Sequence, residues 1–328
     1  MAFSGTVSAT VFDTRKVIES AARRCKVRPQ VLTTEHVEIA NNELFLLLSS
    51  LANKGVQLWC LERQIYPLYD GVNRVVLDVG TVDTANTNLR TLEPVTGTDT
   101  DSATQRETVF ATSTLVSTIG IKWSAASAPI AIERSDDGAS WTQVQTQTPT
   151  ASAGEWTWYD LDSVVASLYI RVRATSGTLD FERIFYGNSP TEIELARINR
   201  DDYTNLPNQV FKSDRPTQFW FDRQVRQPVL RLWPSPNAAA ETSQVIVWRE
   251  RHIQDVGSMT QELEVPQRWY DAIVADLAYR LCMEFAEASP DLIPLLKSVR
   301  DEAMYHAQQE ERDDSPMKIL PNISPYTA

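Results

Sequence analysis

Apolar positions recur at helical spacing towards both ends of the chain and at strand spacing between them. Over residues 266–312, Trp269, Ile273, Leu277, Leu281 and Phe285 fall four apart. Ala275, Ala278, Tyr279 and Cys282 widen that stripe into a broad apolar face, which predicts a largely buried helix. Pro266 stands where a first helical turn tolerates proline. Pro290 and Pro294 interrupt the pattern, and a second helix follows with Leu295, Leu296, Val299, Ala303 and Ala307 inward. Near the N-terminus, Asp13 or Thr14 caps a helix that turns Val17, Ile18, Ala21 and Ala22 inward. Thr33 or Thr34 opens another, with Leu44, Leu47, Leu48 and Leu51 as its stripe, and Gly55 ends it.

Between these ends the period shifts towards two. A strand is expected over 56–68, a turn at Tyr69-Asp70-Gly71, and a strand over 75–79. Residues 93–102 are rich in Thr and Asp and read as a linker. From 107 to 186, short runs such as Ile119/Ile121/Trp123, Ile130/Ile132 and Leu168/Ile170/Val172 alternate with turns, which predicts a β-sandwich. Residues 193–202 read as a short helix. Phe219-Trp220-Phe221, 229–233 and 245–248 then form a hairpin or meander. The pattern predicts an α+β multidomain chain: a helical core with a small β-sheet, interrupted by an inserted antiparallel β-sandwich. The expected divisions are 1–92, 93–190 for the insert, 191–314, and an extended tail 315–328. That tail spreads Met317, Ile319, Leu320, Ile323 and Tyr326 among three prolines. It cannot form a helix or a core of its own, so it is expected to order against a partner.

Composition changes this picture in two ways. The net charge of -12 argues against a protein that coats DNA. The nine tryptophans favour β-rich or interface-rich architecture. The three cysteines, Cys25, Cys60 and Cys282, match no zinc or redox spacing and read as buried free thiols. No signal peptide is expected from the first residues, and no apolar run approaches the ~18 residues that a membrane span needs.

Candidate chemistry is sparse. His36, His252 and His306 form no metal-binding spacing, and no phosphate-cradling or nucleophile-elbow motif occurs. No enzyme activity, cofactor or metal is therefore expected. Trp141, Trp156 and Trp158 are candidate glycan contacts, against the alternative that they fill the core and rim of a small sandwich. Asp136-Asp137-Gly138 reads as a turn, two carboxylates being too few for calcium.

Three stretches resemble the head-to-tail adaptor (connector) proteins of short-tailed bacteriophages. They are ANNELFLLLSSLANKGVQLWCLERQIYPLYDGVNRVVL, then IELARINRDDYTNLPN with RPTQFWFDRQVRQPVLRLWPSP, and VPQRWYDAIVADLAYRLCMEFAE. The resemblance covers 1–92 and 191–328, which would form the adaptor domain. The middle block, with DGASWTQV, WTWYDL and YIRVRATSG, looks like a discoidin-type or carbohydrate-binding sandwich. The resemblance implies a virion protein at the head–tail junction, made in the host cytoplasm. It implies a ring, normally a dodecamer, seated between the portal protein and a tail nozzle or tubular protein. Genomic DNA would pass through the lumen without sequence-specific binding, and the tail residues Met317, Ile319, Leu320, Ile323 and Tyr326 would lie against the portal. The other reading is a carbohydrate-binding tail or spike component that works through its sandwich.

Overall fold

The computed structural model describes residues 12–53, 58–254, 256 and 258–310. The chain separates into two compact units, one of residues 1–61 and 250–328, the other of 62–249.

Helices α1 (Thr14–Arg24) and α2 (Thr34–Asn53) open the first unit. Asp13 caps α1 by accepting from the Lys16 amide at 2.9 Å. At the start of α2, Thr33 and His36 bond reciprocally: the Thr33 amide donates to Nδ1, and the His36 amide donates to Thr33 Oγ1. The chain then enters the second unit through strands β1 (Leu61–Pro67), β2 (Arg74–Val76), β3 (Thr81–Val95), β4 (Thr98–Asp101) and β5 (Gln105–Trp123). It continues with β6 (Ile130–Ser135), β7 (Thr142–Gln147), β8 (Trp156–Ala174), β9 (Phe181–Glu194) and β10 (Ala196–Ile198). A short helix α3 (Arg200–Thr204) follows, then β11 (Lys212–Ser213), β12 (Gln218–Asp222), β13 (Val229–Trp233), β14 (Ser235–Pro236) and β15 (Gln244–Arg251). Helices α4 (Tyr270–Glu284) and α5 (Ile293–Glu310) return to the first unit.

In the helical unit, the stripe read from sequence is the core. Trp269, Ile273, Leu277 and Leu281 are 0% exposed, and they cluster with Val17 and Ala21 of α1 and Leu44, Leu47 and Leu51 of α2. Such close-packed burial stabilises by ~25 cal/mol per Å² of apolar surface removed from water. None of the described helices is long and apolar enough to cross a membrane.

The second unit is built on one nine-stranded sheet of order β1-β15-β3-β9-β5-β8-β6-β7, with β4 paired to β5. This corrects the expectation of a helical core carrying a small sheet with a sandwich set into it as a separate body. Strands β1, β3 and β15, assigned by sequence to the flanking parts, belong to the same hydrogen-bonded sheet as the sandwich strands. The boundaries at 92/93 and 190/191 fall inside β3 and β9, which pair antiparallel from Asn88↔Glu194 to Val95↔Tyr186. The physical reason is that threonine, read as linker composition, is a good strand former when its neighbours alternate. The compact division lies instead at 61/62 and 249/250. Residues 193–202 likewise hold the end of β9, β10 and the start of α3 rather than one helix.

The β5–β8 ladder makes the sandwich by bending back on itself. Gln105–Val109 pair with Tyr169–Arg173, whereas Thr118–Lys122 pair with Trp156–Asp160, and the register shifts between these stretches. Ile119, Ile121 and Trp123 from one end share a core with Ile130, Ile132, Ile170 and Val172 from the other. A smaller sheet, β10-β12-β13-β2, lies over a separate core containing Phe219, Phe221, Leu230, Leu232, Val245 and Val247.

This continuity yields a prediction. A fragment of residues 62–249 unfolds in one cooperative denaturant transition, whereas 93–190 does not. The shorter piece loses β1, β15 and most of β3, and with them Arg90, whose buried guanidinium bonds Asp160 of β8 and Thr118 of β5. A cooperative transition of 93–190 as steep as that of 62–249 would contradict the single-sheet description.

Candidate functional site

Because the β5–β8 ladder folds back, both ends of β5 arrive at one end of the sandwich. There Asp101, Ser102, Gln105 and Arg106 meet Ser124 and the segment Leu179-Asp180-Phe181, around a cleft of about 170 Å³. Backbone bonds tie the three segments together. The Ser124 amide donates to the Asp180 carbonyl at 2.9 Å, Leu179 to Ala103 at 3.0 Å, and Ala174 to Thr104 at 2.8 Å. Arg106 holds Asp101 through both Nε and Nη2, a bidentate pair, and its guanidinium lies 5.4 Å from the Phe181 ring centroid. The edge of Trp123 meets the same ring at 5.2 Å. The hydrogen bonds from Arg106 hold the Asp101 carboxyl below its ordinary range.

The three tryptophans singled out by sequence do not form one exposed platform. Trp141 lies under the Arg171 guanidinium at 4.0 Å. Trp156 is 4% exposed and stacks on Trp158 at 5.2 Å and 17°. Trp158 fills the space above Gly120, where a Cβ would lie 2.5 Å from the ring, and meets Phe185 edge-on. Only glycine permits that approach in the centre of the sheet. The spacing WTW on a strand did place both rings on one face. The sequence did not reveal that this face is covered.

Arg171 also belongs to a charged cluster on β6 and β8. Glu133, 6% exposed, accepts from Arg171 Nε at 2.7 Å and from Arg173 Nη2 at 2.9 Å. Burial pushes the Glu133 carboxyl up, but the two guanidinium groups outweigh it and hold it below the usual range. A depressed carboxylate contributes stability above its unfolded pKa of ~4.3 and loses it as pH falls through the folded value. Asp101 acts in the same direction. The unfolding midpoint of the second unit is therefore expected to be flat near neutrality and to fall below about pH 4. Glu133→Gln should flatten part of that fall. An unchanged acid slope in the variant would show that this cluster does not carry it.

The turn at Asp136-Asp137-Gly138 has a local explanation. Asp137 Oδ1 accepts from the amides of Ala139 at 2.9 Å and Ser140 at 2.7 Å, and from Ser135 Oγ at 2.8 Å. Gly138 takes a φ of 71°. These bonds hold the carboxyl well below the usual range. All three cysteines are buried, and burial raises the Cys25 thiol to about 12. Among the described residues no cluster of three or more His, Cys, Asp or Glu has metal-binding geometry. The candidate portal contacts Met317, Ile319, Leu320, Ile323 and Tyr326 lie outside the described residues.

In the helical unit a wider groove of about 590 Å³ runs between α2, α4 and α5. Its charges already answer one another: Arg280 with Glu43 at 3.2 Å and Asp276 at 3.5 Å, and Arg300 with Asp301.

No protein-family model and no curated protein matches the chain. Several solved structures are similar to part of it. One is the CBM32 of AlyQ in complex with 4,5-unsaturated mannuronic acid, at 12% identity and TM-score 0.24, covering 33% of this chain and 98% of that one. Another is CBM32-1 from a family 31 glycoside hydrolase of Clostridium perfringens, at 9% identity and TM-score 0.24, covering 39% and 94%. A third is chitosan-binding module 1 from a chitosanase/glucanase of Paenibacillus sp. IK-5, at 17% identity and TM-score 0.23, covering 34% and 99%. Likeness of this strength carries no argument about what the present chain binds.

Proposed function

We propose that the chain is a structural virion subunit, a head-to-tail adaptor of a short-tailed bacteriophage. It docks on the portal protein, associates with neighbouring copies into a ring, and lets genomic DNA pass towards the tail nozzle. The observation that supports this most is the surface of α2. Its inner face is apolar, with Ala40, Leu44, Leu47 and Leu51 at 0–1% exposure. Its outer face starts charged, with Glu35 and Glu38 exposed, but after Asn42 it presents Phe45 and Leu46 to solvent. Phe45 and Leu46 are 49% and 50% exposed. Two adjacent large apolar side chains left half exposed on an otherwise polar face suit contact with a second protein there. The occupant proposed is the next copy in the ring. An excess of acidic side chains, which gives the net charge of -12, suits a channel through which phosphates must slide without sticking. The tail residues Met317, Ile319, Leu320, Ile323 and Tyr326 would supply the grip on the portal, as apolar anchors on an extended segment.

The test is the double substitution Phe45→Asp with Leu46→Asp. Both side chains are half exposed, so the thermal midpoint should move little. Native mass spectrometry of the variant with purified portal should show incomplete occupancy, where the parent chain fills every portal position. Full occupancy by the variant would remove α2 from the ring contact.

A second reading, carbohydrate recognition by the sandwich, is favoured by one observation: the polar cleft at the sandwich end, with an aromatic wall at Phe181. The two readings are compatible, because each rests on a different unit.

A further inference from the structure

Resting on the carbohydrate reading, we propose that the cleft between Asp101 and Phe181 binds a single neutral pyranose unit through its vicinal hydroxyls, and that the tryptophans do not. Size comes first. At about 170 Å³ the cleft falls below the ~300–1,000 Å³ typical of sites for drug-sized ligands, and it holds several times the ~30 Å³ of one water. It suits one ring rather than a chain of them.

Charge disfavours the other small-ligand classes. Asp101 and Asp180 both border the cleft and oppose an anion. Arg106 is neutralised by Asp101, and the remaining carboxylate, Asp180, is exposed to solvent and holds a cation only weakly. An apolar ligand would strand the polar lining. A sugar hydroxyl both donates and accepts, so a pair of adjacent hydroxyls matches a lining that mixes donors and acceptors. The residues supply that mixture. Gln105 and Ser124 make no side-chain hydrogen bond among the described residues, and Asp180 accepts only one, from Thr178 at 3.4 Å. The amide, the hydroxyl and the carboxylate are thus open to a ligand. Arg106 is fixed in place by Asp101, so its orientation is set before binding. Leu179 and the Phe181 ring provide an apolar wall against which the C–H face of a pyranose can lie.

The backbone bonds from Ser124 to Asp180 and from Leu179 to Ala103 hold the three segments together, so the cleft does not have to be assembled by the ligand. Trp156 and Trp158 are committed to each other and to the sheet, and Trp141 to Arg171.

The experiment applies the full chain to an array of neutral hexoses, uronates and amino sugars, followed by calorimetry with the best neutral hexoside. Neutral sugars should be retained and the charged ones not. Gln105→Ala and Asp180→Ala alter side chains without a structural partner of weight. Each should weaken binding about tenfold, and the double variant should abolish it, with the thermal midpoint unchanged. Trp141→Ala should bind as the parent does. If the parent binds a neutral sugar and the double variant binds it equally well, the cleft is not the site. If Trp141→Ala is the variant that fails, the tryptophan is the contact and the proposal is overturned. If the full chain retains no sugar at millimolar concentration, the carbohydrate reading falls, and the proposal with it.

Discussion

Replacing Trp269 by alanine should destabilise the helical unit by ~3–5 kcal/mol, the loss typical of deleting a large buried aromatic side chain. Trp269 is 0% exposed and sits immediately before α4, with the Trp59 ring at 5.3 Å. It belongs to the one core cluster that gathers α1, α2, α4 and α5. Among the described residues the helical unit has no second core cluster to compensate, and a cavity of this size collapses only in part. The measurement is the denaturant midpoint of the helical transition at constant slope. A shift worth less than ~1 kcal/mol would mean that the helices do not pack around this residue as described.

The second large effect belongs to Arg90. Its side chain is 6% exposed, and its guanidinium bonds Asp160 at 2.8 and 3.0 Å, Gln244 Oε1 at 3.2 Å and Thr118 Oγ1 at 3.1 Å. Arg90→Met keeps most of the volume and removes every donor. Gln244, 0% exposed and already lacking a partner for its Nε2, would then have its Oε1 unpaired as well. An orphaned buried polar group costs ~1–3 kcal/mol, and breaking a buried ion pair ~3–5 kcal/mol. Asp160 is 44% exposed and can rehydrate, so about 3 kcal/mol is expected. The control is Arg63→Met. Arg63 pairs with Glu192 at 3.1 Å, with both side chains about one-third exposed, and such a pair contributes ~1 kcal/mol or less. Equal effects at the two positions would show that burial is not what distinguishes them.

The helices were legible because their signals are local and redundant. The four-residue spacing from Trp269 to Phe285, the cap at Asp13 and the stripe of α2 each lie within one element. The sheet was only partly legible. Alternation located β5, β6, β8 and β9, but nothing local states that β3 continues past Leu92 to pair with β9, since pairing is a property of two distant segments. Thr and Asp at 93–102 were read by composition, whereas the backbone there pairs with β9 and β5 and forms the end of β3 and β4. The cleft was not legible for a related reason. Asp101, Arg106, Ser124 and Phe181 come from three segments that meet only because the β5–β8 ladder bends back, and no spacing encodes that bend. For the tryptophans the sequence left glycan contact and core filling both open. Their type points to ligand stacking, but burial decides their role, and burial depends on which layer covers Trp156.

The adaptor account is tested most directly by mixing the purified full chain with purified portal rings and weighing the complex by native mass spectrometry. The account predicts one added copy per portal subunit, with no comparable ring in the chain alone. A portal whose mass is unchanged, at concentrations where other virion subunits assemble, would contradict it.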